Sequence, residues 1–457
     1  MSLSWFPLFS VIAMVTGPVI GQIAMSGLEI SFHHKNLIIK SSDTGDVKIS
    51  AKIAVNQKWY NDQQYGGFKA CDKYDSDVCL ENLDLARFDL EREGQCYTVT
   101  WQALSRDFQP TDCFPLTGAF WYGGAEIYKQ FWPINEQRNK MASYVSGDLI
   151  DGPYYGSVLE RYWLASSGLA IHVENDVPLH VSWNSDGDGE ICLKAAYEGL
   201  HYQNPDNKLP HLKYTICEGA DVKVVHQLLF PKKYTRPSKL PDLRMLKSPV
   251  WSMWARYKMH VNERDVMELA TEIKQHGFSN SQLEIDDKYT PSYGEISFDP
   301  VKFQSGKKLI DDLHDMGFRV TSWVMPFVNL ESPLFEVGLE KNYFIKDGMN
   351  KVPALVKWWQ GIGGAIDVTN PEAVDWYVSR LQAFQEETGV DSFKFDAGEN
   401  NWFPPSITTH EKMENPNDYT SKYVQILADF GGMVEARVGY RSQEHPIFVR
   451  MMDKDSV

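Results

Sequence analysis

No cysteine lies beyond Cys217, no Cys-x-x-Cys pair occurs anywhere, and no lysine- or arginine-rich tract interrupts the chain. The missing basic tract, with 45 basic against 61 acidic residues and a net charge of −16, argues against a nucleic-acid partner. The missing Cys-x-x-Cys spacing makes zinc a poor reading of the cysteines. No Asn-x-Ser/Thr acceptor site occurs. Beyond the N-terminal segment no apolar run reaches the ~20 residues of a membrane-spanning helix. No charge precedes Glu29. The apolar stretch Phe6 to Ile23, with small residues at Ala24 to Gly27, reads as the hydrophobic region of a secretory signal over residues 1–27. An uncleaved anchor, which alone would bring the chain to a membrane, and a buried strand are the alternatives.

What is present fits an exported protein of at least two domains. The 457 residues are 43% hydrophobic, ample for a packed core. All six cysteines fall between residues 71 and 217, an even number in one region, which predicts disulfides within one domain. Proximity favours Cys71–Cys79, Cys96–Cys113 and Cys192–Cys217. The chain has 14 Trp and 22 Tyr. Flat apolar rings match the C–H face of a pyranose, although a large β-rich core uses the same residues.

The hydrophobic period changes along the chain. Residues 28–244 carry short alternating runs, such as 49–55, 96–101, 169–173 and 222–229, separated by Gly, Asn, Asp and Pro. This predicts an N-terminal antiparallel β-sandwich. Residues 245–457 alternate strand, loop and helix. Strands are expected at 250–256, 282–286, 318–327, 392–395, 433–437 and 446–451. Helices are expected at 263–276 (capped by Asn262, stopped by Gly277), 305–316, from Asn370-Pro371 to Gly389, and 418–429. Such βα units predict a parallel barrel, and no Gly-rich turn supports a dinucleotide-binding sheet. Six strands are fewer than the eight of a closed barrel, so the chain reads as an incomplete (β/α)8 TIM barrel, C-terminally truncated.

Reactive side chains of a barrel gather at the C-terminal ends of its strands. Here those ends carry Glu284, Asp286 and Asp287; Asp396 and Glu399; Asp453 and Asp455, with Trp323, Trp358, Trp359 and Trp402 nearby. Paired carboxylates beside aromatics suit glycoside cleavage, in which one attacks and the other protonates the leaving oxygen. A metal site is disfavoured because no histidine joins these strand ends, and no cofactor is implied. Lys394, two residues before Asp396, shares its strand face and would help keep it ionised.

Asp391-Ser-Phe-Lys-Phe-Asp-Ala-Gly-Glu-Asn400 resembles the nucleophile motif of glycoside hydrolase family 31. Leu283-Glu-Ile-Asp-Asp287, Val320-Thr-Ser-Trp-Val-Met-Pro326, Glu435-Ala-Arg437 and Val449-Arg-Met-Met-Asp-Lys-Asp455 resemble its neighbouring strands in the same order. Trp121-Tyr-Gly-Gly-Ala-Glu126 and Val158-Leu-Glu-Arg-Tyr-Trp163 extend the likeness, toward an animal subgroup of myogenesis-regulating glycosidases. The resemblance implies a retaining α-glycosidase with Asp396 as nucleophile and Asp453 as acid/base, Asp455 being the rival. It implies that Glu284, Asp286, Trp323, Lys394, Arg437 and Arg450 form the sugar site, with α-galactosides preferred over α-glucosides. Two departures stand out: Glu284 where the family usually has Asp, and Arg450 where it usually has Trp. A non-catalytic glycoside-binding protein is the competing expectation.

Overall fold

The computed structural model describes residues 22–453, apart from 26, 32–34, 42–43, 56–67, 73–75, 149–154, 200 and 205. Most of the expected signal segment lies outside the described residues, as does Asp455. Gln22–Met25 form an antiparallel edge strand against Leu28–Ser31. Among the described residues no helix is long and apolar enough to cross a membrane. The chain divides into two compact units.

The first unit takes residues up to Ala125, Lys129–Tyr144 and Glu160–Lys233. Among the described residues it holds two eight-stranded sheets. Strands such as Cys96–Ala103 and Ala86–Glu93 place alternate residues in the interior, as the two-residue strand period requires. Thr111–Pro115 and Glu190–Ala195 are neighbours in one sheet, and Cys96–Ala103 and His211–Glu218 in the other. Trp101 and Tyr214 of the second sheet donate to Asp112 of the first. The Phe114 and Tyr214 rings meet edge to face at 5.6 Å.

The disulfides follow this topology. Cys71–Cys79 forms as expected, but the other pairs are Cys96–Cys217 and Cys113–Cys192. Each of these two links directly opposed residues of adjacent strands. Sequence proximity fails because long connections bring distant strands side by side. The run 222–229, expected as a strand, lies in a helix, Val222–Lys233. The Asp221 carboxylate accepts from Val224 N at 2.8 Å, and Val225 and Leu229 are buried one turn apart. Capping and a buried helical stripe outweigh the strand preference of three valines.

The second unit comprises Glu126–Tyr128, Val145–Leu159 and Tyr234–Val457. Six parallel strands form one sheet, in the order Val250–Ser252, Gln282–Ile285, Val320–Val324, Ser392–Phe395, Glu435–Ala436 and Phe448–Val449. Helices Glu263–Gln275, Gly306–Asp315, Pro371–Thr388 and Asp418–Ala428 occupy the connections. Asn262 caps the first through Asp265 N, and Asn370 caps the third through Glu372 N. That third helix stops at Gly389, which takes a left-handed φ of 85° at little steric cost. Leu283, Val320 and Phe393 of the strands are fully buried with Val266, Ile310, Leu313 and Leu381 of the helices. Each such side chain contributes about 1.5–3 kcal/mol by leaving water.

Four expected strands are shorter than their runs, the last two being only Glu435–Ala436 and Phe448–Val449. The first stops at Ser252, whose hydroxyl accepts from Trp254 N and starts the short helix Trp254–Tyr257. The run 318–327 is broken at Pro326, which has no N–H for a ladder. Phe327–Asn329 then joins a separate antiparallel sheet with Gly361–Ala365 and Leu355–Trp358.

Candidate active site

Asp396 directly follows the strand Ser392–Phe395, whose Lys394 and Phe395 pair with Trp323 and Val324 on one side and Glu435 and Ala436 on the other. The chain then turns through Ala397 and Gly398, both at positive φ (57° and 98°). A Cβ on Gly398 would meet the Tyr423 ring at 2.5 Å, so the turn needs glycine there. This sharp exit leaves the Asp396 side chain at the strand end, 6% exposed.

Both carboxylate oxygens of Asp396 are engaged. Trp323 Nε1 donates to Oδ2 at 2.8 Å, while Oδ1 lies 3.2 Å from Arg437 Nε and 3.1 Å from Arg450 Nη2. Burial works against ionisation, but Arg437, Arg450, Lys394 and the Trp323 hydrogen bond outweigh it and hold the carboxyl well below the usual range. The expected help from Lys394 is real but ranks behind the two arginines. Lys394 itself pairs with Asp286 Oδ2 at 2.8 Å and Glu284 Oε2 at 3.5 Å.

Glu284 and Asp286 differ in what they face. Asp286 lines the cleft and also accepts from Ser252 Oγ at 3.1 Å. Glu284 lies behind the wall. Burial, and next the charge of Glu435, push its carboxyl well above the usual range despite Lys394.

Arg437 is 3% exposed. Its Nε donates to Glu399 Oε1 at 2.7 Å, and its Nη2, which has no hydrogen-bond partner, lies 3.6 Å from Asp148. The guanidinium also stacks over Trp359 at 5.1 Å. Glu399 is fully buried and accepts from Ser157 and Trp402 as well, which fixes the arginine from behind. Arg450 reaches three carboxylates: Asp396, Glu435 at 3.0 Å and Asp453 at 2.9 Å. Asp453 is the exposed member of the group, its side chain 67% accessible.

Asp148, Asp286, Lys394, Asp396, Arg437, Arg450 and Asp453 line a cleft of about 630 Å³, the size of a small-molecule site. Its aromatic wall comprises Trp254, Trp323, Trp358, Trp359 and Trp402. Trp323 and Trp358 are nearly parallel, 6.5 Å apart, while Trp359 meets both Trp358 and Trp402 edge to face. Of the residues expected from sequence, Asp286, Trp323, Lys394, Asp396, Arg437, Arg450 and Asp453 share this cleft. Sequence reasoning missed Asp148, Trp254 and Lys357. Asp148 sits within the sheet-patterned stretch yet belongs to the second unit, and nothing in its local sequence marks it. Among the described residues, the one trio spaced for a metal ion is Cys113, Glu190 and Cys192, whose cysteines are joined in a disulfide.

Residues 248–449 match the glycosyl hydrolases family 31 TIM-barrel domain, and residues 32–199 match the myogenesis-regulating glycosidase N-terminal domain. The mouse myogenesis-regulating glycosidase is 38% identical over 368 residues, 79% of this chain and 51% of that protein. The SITS-binding protein of Tetronarce californica is 25% identical over 445 residues, 93% of this chain and 60% of its own length. The chain thus spans about half the length of the curated relatives it matches. Among solved structures, a family 31 sulfoquinovosidase from E. rectale superposes with a TM-score of 0.65 at 12% identity, covering 91% of this chain and 67% of that one. A Flavobacterium johnsoniae family 31 dextranase gives 0.62 at 15%, covering 94% and 54%. These two likenesses carry the fold alone. With both domain matches in chain order, and with the mouse relative aligned across most of it, the chain belongs to glycosyl hydrolase family 31 and carries an N-terminal domain of the myogenesis-regulating glycosidase kind.

Proposed function

We propose that the protein is a retaining α-glycosidase acting on α-galactosides or α-glucosides, with Asp396 as nucleophile and Asp453 as acid/base. The observation that carries this reading is a single guanidinium, Arg450, reaching both carboxylates at 3.1 and 2.9 Å. One arginine thus bridges the two carboxylates that line the cleft, and double displacement would use such a pair about 5–5.5 Å apart. In this scheme Asp396 attacks the anomeric carbon while Asp453 gives its proton to the departing oxygen. Asp453 then takes a proton from water as the glycosyl-enzyme is hydrolysed. Arg437 and Asp286, both in the cleft wall, would donate to and accept from ring hydroxyls respectively. The tryptophan wall offers apolar faces to the ring.

On the same reading, the two antiparallel sheets form a sandwich ahead of a (β/α)8-type barrel, with domains at 28–244 and 245–457. Three disulfides support folding in the secretory pathway. A second reading, a glycoside-binding protein without catalysis, draws support from the same arginine, which ties up both carboxylates. It also draws support from a relative whose name denotes binding.

Hydrolysis of p-nitrophenyl α-galactoside and α-glucoside separates the two. Asp396→Ala should abolish turnover, and added azide should restore part of it with inverted product. Asp453→Asn should slow poor leaving groups by about 10²–10⁴ and spare activated aryl glycosides. Sugar binding without turnover in the wild-type protein would favour the second reading, and near-normal rates in Asp396→Ala would sink the first.

A further inference from the structure

Glu126 closes the motif Trp121-Tyr-Gly-Gly-Ala-Glu126 and belongs to the second unit. Its backbone is tied to the segment Val145–Leu159 of the same unit. Glu126 N donates to Val158 O at 2.8 Å, and Gly156 N donates to Glu126 O at 2.7 Å. A Cβ on Gly156 would meet Glu126 O at 2.8 Å and the Glu126 Cβ and Cγ at 3.0 Å, so glycine there lets the glutamate stem pack against the segment. The segment is held in turn to the exit of the fifth parallel strand. Leu159 N donates to Gly439 O at 3.1 Å, and Gly439 N donates to Ser157 O at 3.2 Å. Ser157 Oγ donates to Glu399, the partner of Arg437. From this base the Glu126 side chain crosses to the exit of the sixth strand, where its Oε1 accepts from Met452 N at 3.0 Å. Among the described residues, that amide is the one backbone group of residues 451–453 bound by a distant segment.

Resting on the glycosidase reading, we propose that Glu126 is a positioning residue for the acid/base: by anchoring the Met452 amide it fixes where Asp453 stands beside the leaving oxygen. Asp453 follows Met452 directly, and its exposed carboxylate is held by Arg450 Nη1 at 2.9 Å. That nitrogen also donates to Met451 O, so both of its contacts lie within the loop and move with it. Glu126 instead ties the loop to the strand exit that carries Arg437. Asp396 takes its Trp323 and Arg437 contacts from other strands. Loss of Glu126 therefore disturbs proton donation more than nucleophilic attack, and proton donation matters most for poor leaving groups.

The test is a series of aryl α-glycosides of the sugar that the wild-type protein hydrolyses best. It is run on wild type, Glu126→Ala, Glu126→Gln, Asp453→Asn and the double variant of Glu126→Ala with Asp453→Asn. Glu126→Ala should lose about 10–100-fold in kcat/KM on phenyl glycosides, the scale of a ~1 Å misplacement. On dinitrophenyl glycosides, which leave without a proton, it should stay within about threefold of wild type. Glu126→Gln keeps an acceptor oxygen for the Met452 amide and should recover most of the loss. In the Asp453→Asn background, Glu126→Ala should cost no more than about threefold, because the donor it positions is gone. A thermal melt checks folding. Should Glu126→Ala fail to fold, Glu126→Asp, one methylene shorter, carries the same comparison. A loss equal across leaving groups, or one that multiplies fully with Asp453→Asn, overturns the assignment and leaves the glycosidase reading standing. A wild-type protein that hydrolyses none of the glycosides overturns both.

Discussion

In the sheet-rich unit, Asp112 is fully buried among neutral donors: Ala54 N at 2.8 Å, Trp101 Nε1 at 3.0 Å and the Tyr214 hydroxyl at 2.8 Å. In the parallel-sheet unit, Asp396 is almost as deeply buried but stands against two guanidinium groups. The two aspartates shift in opposite directions. Burial pushes Asp112 up to about 6, and its three hydrogen bonds recover only part of the loss. Burial pushes on Asp396 as well, and Arg437 and Arg450 reverse it. Neutral dipoles can anchor a buried carboxylate, but opposite charge is needed to keep it reliably ionised. The first arrangement ties two sheets together; the second maintains an anion in a cleft.

The largest way to break this contrast is to remove the charge that defines it. Arg437→Met leaves Glu399, Asp396 and Asp148 close together with less positive charge among them. It should cost about 3–5 kcal/mol in stability, read as a lower urea midpoint at pH 7.

The second effect is a pH dependence. Asp112 has a folded value raised from 3.8 to about 6. Below pH ~4 both states hold the proton and its contribution is fully present. As pH rises through ~6 the unfolded chain ionises first, and roughly 3 kcal/mol is lost at 1.36 kcal/mol per unit. Urea midpoints of wild type should therefore fall relative to Asp112→Asn between pH 4 and 6 and run parallel above that. For Asp396, depressed in the fold, the sign reverses. Its contribution is present above pH ~4 and is lost only as pH falls further. Equal slopes for wild type and Asp112→Asn between pH 4 and 6 would erase the contrast between the units.

The smallest expected effect is at the helix that replaces an expected strand. Asp221→Ala removes the cap on Val224 N and should cost about 1 kcal/mol, seen as a small downward shift in the thermal midpoint. An unchanged midpoint would mean that the buried Val225 and Leu229 hold the helix without its cap.

Much of the second unit was legible because its signals are local. Asn262, Asn370 and Gly389 mark helix ends through hydrogen bonds and backbone angles within a few residues. Several strands are shorter than expected, yet Asp286, Asp396, Arg437 and Arg450 still follow strand ends in order. The barrel period then carries them into one cleft. The first unit was legible as strands but not as a pairing. The partners of Cys96 and Cys113 lie 121 and 79 residues away, and no local pattern encodes which strands become neighbours.

The sequence alone determined the two hydrophobic periods, the six parallel strand positions and the identity of the charged residues beyond their ends. Those depend on side-chain spacing and on interactions within a turn or two of chain. Only the tertiary structure decided which charges meet. It placed Glu284 behind the wall and Asp287 in it, gave Arg450 rather than Lys394 the closer hold on Asp396, and brought in Asp148 from a distant segment. The reason is that Coulomb energy and desolvation depend on distances of a few ångströms between groups far apart in the chain, and those distances exist only once the strands are packed.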